Sequence, residues 1–460
     1  MIDCKPTERI NYSYFVAISV NFMAVLAGVG FSWSSPCVPK LSGQADPEHN
    51  PLEHPATIQQ IAWITSLHNL GCIIAPLLCG PLTAKLGKKR TLLVFAVPQL
   101  LSNVVLMFAD EVPHFYAARF LMGVGTGGAT TLIQVYVVEV VPSSHRGRAC
   151  SFTNWMVTLA QDFVFVLGPY VTIKTLAMIS VVPSIAFFVV FGLFVPESPY
   201  YFVGRRELKE AEAILVKTRR TNDVNEELEK IVKYLNEEKT VKFSLGAMVA
   251  SKGVRKSFAL AVALTVFQQF AGVNCVFAYQ QSILAESESS LPADKSVMVV
   301  ALIQIIPMVL ITKLVDSWGR RKLIMLSYAG EFVALVAFGA YFFLKSHGVD
   351  VSSVFWLPVV CLIVYIFSFK LGSGPLTSTI SIELFPQKYG YILTCASAFL
   401  THLIMFLVTY VFPSVWTMLG LEVAFWGFAA VAVSAVVFIY FLIPETSGKT
   451  LAEIQKVLLA

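Results

Sequence analysis

The stretch Gly80-Pro-Leu-Thr-Ala-Lys85-Leu-Gly87-Lys-Lys returns in shortened form 232 residues later, as Asp316-Ser-Trp-Gly319-Arg-Arg321. Two more phrases return at similar intervals: Glu139 with Pro142 matches Glu383 with Pro386 after 244 residues, and Pro196-Glu197-Ser198 matches Pro444-Glu445-Thr446 after 248. A repeat at nearly half the chain length predicts two halves of the same architecture, related by pseudo-symmetry.

The composition around these phrases belongs to a membrane protein. Of the 460 residues, 56% are hydrophobic and 14% are charged, whereas soluble proteins carry about 25% charged residues. The mean hydropathy is +0.70. This excludes a soluble enzyme, because too few charges are present to coat its surface. The net charge of +5 and the lack of a basic cluster interleaved with aromatics also exclude a nucleic-acid partner. We therefore expect the lipid bilayer as the surroundings of this chain.

Apolar runs of about 20 residues, long enough to cross a bilayer as helices, occur six times before a polar insert and six times after it. The first six runs cover 14–38, 58–82, 92–109, 115–138, 149–171 and 176–195. The second six cover 258–284, 297–315, 323–344, 355–384, 391–412 and 423–443. The sequence thus predicts an all-α membrane protein with twelve transmembrane helices in two six-helix bundles.

The polar insert separates the two predicted bundles. Residues 197–255 hold 22 of the 63 acidic and basic residues of the chain, with Leu and Ile at helical spacing among them. This pattern predicts short amphipathic helices. The predicted organisation is an N-terminal bundle over 1–195, a cytoplasmic helical linker over 196–255, a C-terminal bundle over 256–443 and a short cytoplasmic tail over 444–460.

Basic residues follow the even-numbered runs, which decides the expected topology. They are Lys85, Lys88, Lys89 and Arg90 after run two, Arg146 and Arg148 after run four, and Arg320, Arg321 and Lys322 after run eight. Lys and Arg remain on the cytoplasmic side of membranes. We expect both termini to be cytoplasmic, and we expect a multi-pass protein of the plasma membrane.

The repeated phrases resemble the sugar porter family of the major facilitator superfamily over about 28–451. The segment Ser32-Trp33-Ser34-Ser35-Pro36 with Pro39-Lys40-Leu41 is most similar to arthropod facilitated trehalose and glucose transporters. The resemblance implies the major facilitator fold and transport of a small-molecule sugar by alternating access. No enzyme and no cofactor is expected, since the sequence has no Ser-His-Asp, metal-ligand or phosphate-loop pattern. The oligomeric state is not indicated.

Three amides in the seventh run form the strongest candidate site. Gln268, Gln269 and Asn274 lie within seven residues of one apolar segment, beside Gly272, where the helix can bend. Amides are costly against lipid and must face a partner or a wet cavity. They both donate and accept hydrogen bonds, which suits sugar hydroxyls. The resemblance implies that these three residues form the main sugar-binding motif; helix-to-helix hydrogen bonding is the alternative role.

The resemblance implies further cavity positions, several of which differ from the family. Asn154 stands where the family usually has Gln, and Gln304 stands where many members have Asn. Gln161 shares a helix face with Asn154. Ser378 and His402 occupy positions where glucose facilitators carry tryptophan, so the cavity is expected to lack two aromatic walls. We expect Lys370 and His402 to change the selectivity most.

Charged residues near the ends of the runs are expected to form a cytoplasmic gate. We expect all of them to lie at the cytoplasmic ends, where pairs latch one half against the other when the cytoplasmic side is closed. Anchoring to lipid headgroups is the alternative role. The residues are Lys85, Arg119, Glu139, Arg146, Glu197, Asp316, Arg320, Glu383 and Glu445.

The expected function is facilitative uniport of a hexose or trehalose. Uniport is favoured because residues 14–40 contain no acidic residue, where proton-coupled relatives usually carry Asp. Two deep ionisable groups, Asp162 and Lys370, leave an alternative open, because intramembrane charges are often functional. They could pair across the halves, relay a proton or contact a charged solute. A proton-coupled or charged-solute transporter, and a sugar sensor that does not transport, are therefore the alternatives.

Overall fold

The structure, a computed structural model, describes residues 6–44, 50–219, 223–240, 251–289, 291–386, 389–449 and 453–454. Eleven segments among these residues are helical, long and apolar enough to cross a membrane. The helix Ser143–Leu167 is equally long but more polar. Its 25 residues span about 37 Å at about 1.5 Å per residue. The two-bundle, all-α prediction is confirmed, and this polar helix supplies the twelfth span.

The first half contains spans 1 to 6. Span 1 comprises Pro6–Ser32 and Ser34–Leu41, span 2 comprises Ile58–Cys72 and Ile74–Leu86, and span 3 is Lys88–Met107. Span 4 is Val112–Val140, span 5 is Ser143–Leu167, and span 6 runs from Ile173–Ala186 through a π-helical turn, Phe187–Phe191, to Gly192–Phe194.

The second half contains spans 7 to 12. Span 7 comprises Lys252–Phe270 and Val273–Glu286, span 8 comprises Ala293–Ile303 and Ile305–Trp318, and span 9 is Arg320–Ser346. Span 10 comprises Leu357–Leu371 and Ser373–Leu384, span 11 is Gly390–Leu419, and span 12 is Leu421–Leu442.

Spans 7 and 10 are interrupted at neighbouring points in the second half. Span 7 breaks at Gly272, whose φ of +88° lies in the left-handed region that favours glycine. The sequence-based expectation of a bend at this residue is confirmed. Span 10 breaks at Gly372, directly before Ser373. Broken transmembrane helices expose backbone groups at membrane depth, where these groups can meet polar side chains.

Spans 2 and 4 approach each other closely through glycine. A Cβ atom added to Gly127 would lie 2.5 Å from the carbonyl oxygen of Cys72, and one added to Gly123 would overlap the carbonyl of His68. Small residues such as glycine allow transmembrane helices to approach each other this closely. The close approach fixes span 2 against span 4. It thereby positions the polar residues Thr65, His68 and Asn69 of span 2.

Three linker helices follow span 6: Pro199–Gly204, Leu208–Arg219 and Asn225–Thr240. The predicted amphipathic helices are confirmed, because their apolar residues bury one another in a small core. This core comprises Val203, Ala211, Leu215, Val224 and Ile231. We call the end of the molecule that carries these helices the linker end.

Arg219 fastens the linker helices to the first half. Its Nη1 donates to the carbonyl of Val140, the last residue of span 4, at 2.6 Å. Its Nε and Nη2 donate to the two carboxylate oxygens of Glu227 at 2.9 and 2.7 Å. Hydrogen bonding to Arg219 holds the pKa of the Glu227 carboxyl below its ordinary value. Arg219 therefore attaches the linker helices to the end of span 4 at which Val140 lies.

Candidate solute-binding site

A cavity of about 630 Å³ lies between the two halves. Its walls come from spans 1, 2, 4 and 5 of the first half and from spans 7, 8, 10 and 11 of the second. A volume of this size is usual for a small-molecule site. This cavity explains the polarity of span 5, because several polar residues of the helix line the cavity and do not face lipid.

The amides of span 7 meet at the Gly272 break. Gln268 donates to the carbonyls of Ser373 at 2.7 Å and of Gly374 at 3.1 Å, so it ties span 7 to the break in span 10. Gln269 donates to Gln268 at 3.2 Å, and the Asn274 amide donates to Gln269 Oε1. Gln269 and Asn274 line the cavity, whereas the contacts of Gln268 turn its amide to the backbone of span 10.

The facing wall comes from span 5. Asn154 lines the cavity and accepts a hydrogen bond from Gln134 of span 4 at 3.2 Å. Gln161 lines it as well and accepts from Lys370 Nζ of span 10 at 3.2 Å. Lys370 also donates to Thr158 at 3.2 Å. The lysine therefore crosses from the second half to the first and contacts two neutral side chains.

Two other predicted site residues lie behind the cavity wall. Gln304 is 1% exposed and donates its amide to Asp162 Oδ1, which makes a second connection between the halves. His402 is buried, and its Nδ1 lies 2.8 Å from the carbonyl of Ala398, one turn back in its own helix. Neither belongs to the lining of the cavity in this conformation. Ser378 does belong to it. Solute binding by all these residues stays a prediction.

Sequence reasoning missed the polar face of span 2. Thr65, His68 and Asn69 line the cavity, at positions i, i+3 and i+4 of one helix face. The signal was present, because three polar residues at helical spacing in an apolar run must face something other than lipid.

The same face of span 2 joins the halves at the end opposite the linker. The hydroxyls of Thr65 and Tyr279 lie 2.6 Å apart, and Asn69 donates to Thr409 at 3.3 Å. Nearby, the rings of Trp63 and Tyr410 have centroids 4.8 Å apart. These contacts join spans 2, 7 and 11 across the two halves at this end of the cavity.

At the linker end, by contrast, the described ion pairs stay within each half. Lys88 pairs with Glu139, which also accepts from Ser198 at 2.5 Å. In the second half Arg320 pairs with Glu383. The two pairs occupy matching positions of the sequence repeat, so the pseudo-symmetry predicted from sequence extends to side-chain contacts.

Two further carboxylates cap helices in the same symmetric manner. Glu197 accepts the backbone amide of Lys89 at 2.9 Å, at the start of span 3. Glu445 accepts the amides of Arg320 and Arg321 at 3.0 and 3.1 Å, at the start of span 9. A negative charge is favourable at a helix N-terminus, where amides lack helical partners.

The predicted gate needs two corrections. Arg119 is wrongly placed at the cytoplasmic end, because it lies 20 residues before Glu139 in the helix Val112–Val140 and therefore about 30 Å away, near the opposite end. The ion pair to Glu139 comes from Lys88, whereas Lys85 accepts a hydrogen bond at its carbonyl from Tyr201. The described ion pairs Lys88–Glu139 and Arg320–Glu383 each lie within one half, and the latch between the halves, expected when this end is closed, stays a prediction.

Two members of the predicted gate have other positions. Arg146 donates from Nε to the carbonyl of Val141 at 3.2 Å, just beyond the end of span 4. The side chain of Asp316 lies outside the described residues, although its backbone belongs to the helix Ile305–Trp318.

We expect removal of either capping carboxylate to destabilise the protein by a similar amount. Glu197→Ala and Glu445→Ala should each cost about 0.5–2 kcal/mol, the usual loss for a helix N-cap. The measurement is thermal unfolding of the purified protein in detergent. Glu212→Ala, which removes an exposed glutamate of a linker helix, is the matched control. A loss in only one of the two capping variants would contradict the symmetric role.

Two six-span halves, a cavity between their broken helices and matching charge pairs at one end define a membrane transporter of the major facilitator fold. The chain belongs to the family described as "Sugar (and other) transporter", which matches residues 20–458. It is therefore a transporter and not an enzyme.

Individual relatives agree with this assignment. The chain is 27% identical over 456 residues to the facilitated trehalose transporter Tret1 of Culex quinquefasciatus, covering 98% of this chain and 87% of the relative. It is 29% identical over 450 residues to Tret1 of Bombyx mori, with 95% and 85% covered. It covers only 52% of the Tret1 of Drosophila pseudoobscura pseudoobscura.

Among solved structures, the inward open conformation of the xylose transporter XylE from E. coli superposes with a TM-score of 0.79. The superposition covers 97% of this chain and 99% of that one, at 22% identity. The likeness concerns the fold.

Proposed function

We propose that the protein is a uniporter that moves a sugar, a hexose or trehalose, across the membrane by alternating access. The observation that carries the proposal is the cavity between the halves, in which Gln269 and Asn274 face Asn154 and Gln161. Amides can donate to and accept from hydroxyls, so the four side chains can replace the water around a neutral polyol. The names of the insect relatives support trehalose as one candidate.

The contacts around the cavity support a mechanism. At the opposite end the halves are joined by Thr65 with Tyr279 and by Asn69 with Thr409, while the described charge pairs of the linker end remain inside each half. We propose that the linker end is cytoplasmic, since basic residues concentrate there. In this conformation the cavity then faces the cytoplasm. Transport requires the opposite-end contacts to break while the linker end closes around the solute.

The test is uptake of labelled glucose and labelled trehalose in oocytes at mildly acidic and neutral external pH. We expect uptake of at least one sugar, without dependence on pH. Gln269→Ala should lower it about tenfold, because two lost hydrogen bonds between neutral groups, each worth about 0.5–1.5 kcal/mol, change affinity by roughly that factor. Gln59→Ala, at an exposed position of span 2, should leave uptake unchanged. Absence of uptake by protein at the cell surface would overturn the proposal.

A proton-coupled transporter is the second candidate, favoured by one observation. Asp162 is 6% exposed, and its Oδ2 has no hydrogen-bond partner among the described residues. An intramembrane carboxylate oxygen without a partner is a position at which a transported proton can bind. Uptake that rises at acidic pH, with acidification of the cell on addition of the sugar, would support this candidate against uniport.

A further inference from the structure

The wall of the cavity carries positive charge. Arg119 and Lys370 both line it, and none of the described lining residues is Asp or Glu. A cation on the wall of a cavity attracts an anion, and the attraction strengthens when the bound solute displaces the water between them. A neutral sugar needs no such charge. The wall therefore contains an electrostatic feature that hydroxyl recognition leaves unexplained.

The hydrogen-bond donors of Arg119 already bind other groups of the protein. Its guanidinium donates to the carbonyls of Ile64 and Gly30, each at 3.1 Å, and to the hydroxyl of Ser34 at 3.0 Å. It also lies 4.9 Å from the ring centroid of Trp33. The side chain is 1% exposed. Arg119 therefore holds spans 1, 2 and 4 together and is not available to bind a solute.

Lys370, in contrast, is half-buried, and only some of its hydrogen-bond donors have acceptors. Two of its three N–H donors have described acceptors, the neutral oxygens of Thr158 and Gln161. The Nζ lies 5.6 Å from the ring centroid of Phe277. The third N–H donor has no described acceptor, and Lys370 belongs to the lining of the cavity.

Asp162, the carboxylate residue of span 5, does not form a direct ion pair with Lys370 among the described residues. Asp162 follows Gln161 in span 5, but its Oδ1 accepts the Gln304 amide instead. The described ion pairs do not include Asp162 with Lys370, and Asp162 is not part of the cavity lining. Asp162 therefore acts on the ammonium group only through space, and the described direct acceptors of Lys370 are neutral oxygens, which an anionic solute can replace.

We propose that the preferred solute is a sugar that carries one carboxylate, such as a hexuronate or an aldonate, and that Lys370 binds this carboxylate. This inference rests on the proposed sugar transport, because Gln269 and Asn274 bind the hydroxyls. Gln268 ties span 7 to the carbonyls of Ser373 and Gly374, just beyond Lys370, so the amides and the ammonium share one region of the cavity. A single free ammonium group matches a single negative charge.

Carboxylate binding also competes with the existing contacts of Lys370. A charged acceptor forms stronger hydrogen bonds with an ammonium group than neutral oxygens do. The solute thus draws Lys370 away from Thr158 and Gln161, which removes a connection between the halves. Binding is coupled in this way to the movement that transport requires.

The experiment uses the full-length protein in liposomes, with labelled glucuronate, glucose and trehalose. We expect wild-type protein to take up glucuronate in preference to glucose. Uniport of glucuronate, unlike that of a neutral sugar, carries one negative charge and produces a transport current. Lys370→Gln should lower the ratio of glucuronate to glucose uptake about tenfold or more, because a charge-assisted contact is lost. Lys370→Arg should restore most of this ratio.

The controls separate this inference from the proposed function. Lys233→Gln, at an exposed linker position, should not change the ratio. Thermal unfolding shows whether each variant is folded. Uptake of glucose or trehalose without glucuronate, or an unchanged ratio in a folded Lys370→Gln variant, overturns the inference and leaves the proposed function intact. Uptake of none of the three by folded wild-type protein overturns both.

Discussion

Arg119→Met is expected to destabilise the protein by about 3–5 kcal/mol, because three charge-assisted hydrogen bonds to buried acceptors are lost. Two backbone carbonyls, those of Ile64 and Gly30, lose their donor, as does the hydroxyl of Ser34. Each buried acceptor left unsatisfied costs about 1–3 kcal/mol. The contact with the Trp33 ring is lost as well. The measurement is thermal unfolding of purified protein, with the yield of monodisperse protein as a second readout.

Two further variants sharpen this test. Arg255→Met removes an exposed arginine at the start of span 7 and should leave unfolding unchanged. Arg119→Lys keeps the charge but cannot reproduce the planar set of donors, so it should recover only part of the loss. Normal unfolding of Arg119→Met would show that the guanidinium does not join spans 1, 2 and 4.

Gly272→Ala is expected to cost about 2–5 kcal/mol and to abolish transport. A residue with a side chain loses about 1–2 kcal/mol in the left-handed conformation that Gly272 adopts. The added Cβ would also overlap the ring of Phe428, and overpacking costs about 1–3 kcal/mol. Any shift of the break displaces Gln269 and Asn274, which flank it. Thermal unfolding and sugar uptake measure the two consequences.

Gly427→Ala is the matched control, because no atom lies within 4 Å of a Cβ added at that position of span 12. Alanine in a helix interior should be neutral or should stabilise by up to about 1 kcal/mol. If both variants unfold at the same temperature as the wild type, the left-handed break at Gly272 does not exist in the folded protein.

Much of the architecture was readable from residue patterns. The six-plus-six runs, the amphipathic linker helices and the bend at Gly272 depend on hydropathy, helical spacing and the conformational freedom of glycine, all of which are local properties. The internal repeat anticipated that Glu139 and Glu383 would have equivalent surroundings. The membrane fold and the transporter family follow from these local signals.

The sequence-based predictions failed where the role of a residue depended on its depth in the membrane or on the direction in which its side chain points. Arg119 was assigned to the cytoplasmic gate although span 4 enters the bundle from the opposite end, and Lys85 was named where Lys88 makes the ion pair. A shift of a few positions along a helix changes both the depth of a side chain in the membrane and the helix face on which it lies. Only the neighbouring helix decides which of two nearby lysines reaches a given carboxylate.

The sequence by itself determined the number of helices, their division into two halves, the linker and the amide-rich segment, because each is set by residues close together in the chain. The tertiary structure alone decided that Gln269 and Asn274 line the cavity while Gln268 binds backbone, and that Lys370 contacts Thr158 and Gln161. These contacts join residues more than 100 positions apart, and the rotation of each helix that makes them depends on packing between the halves.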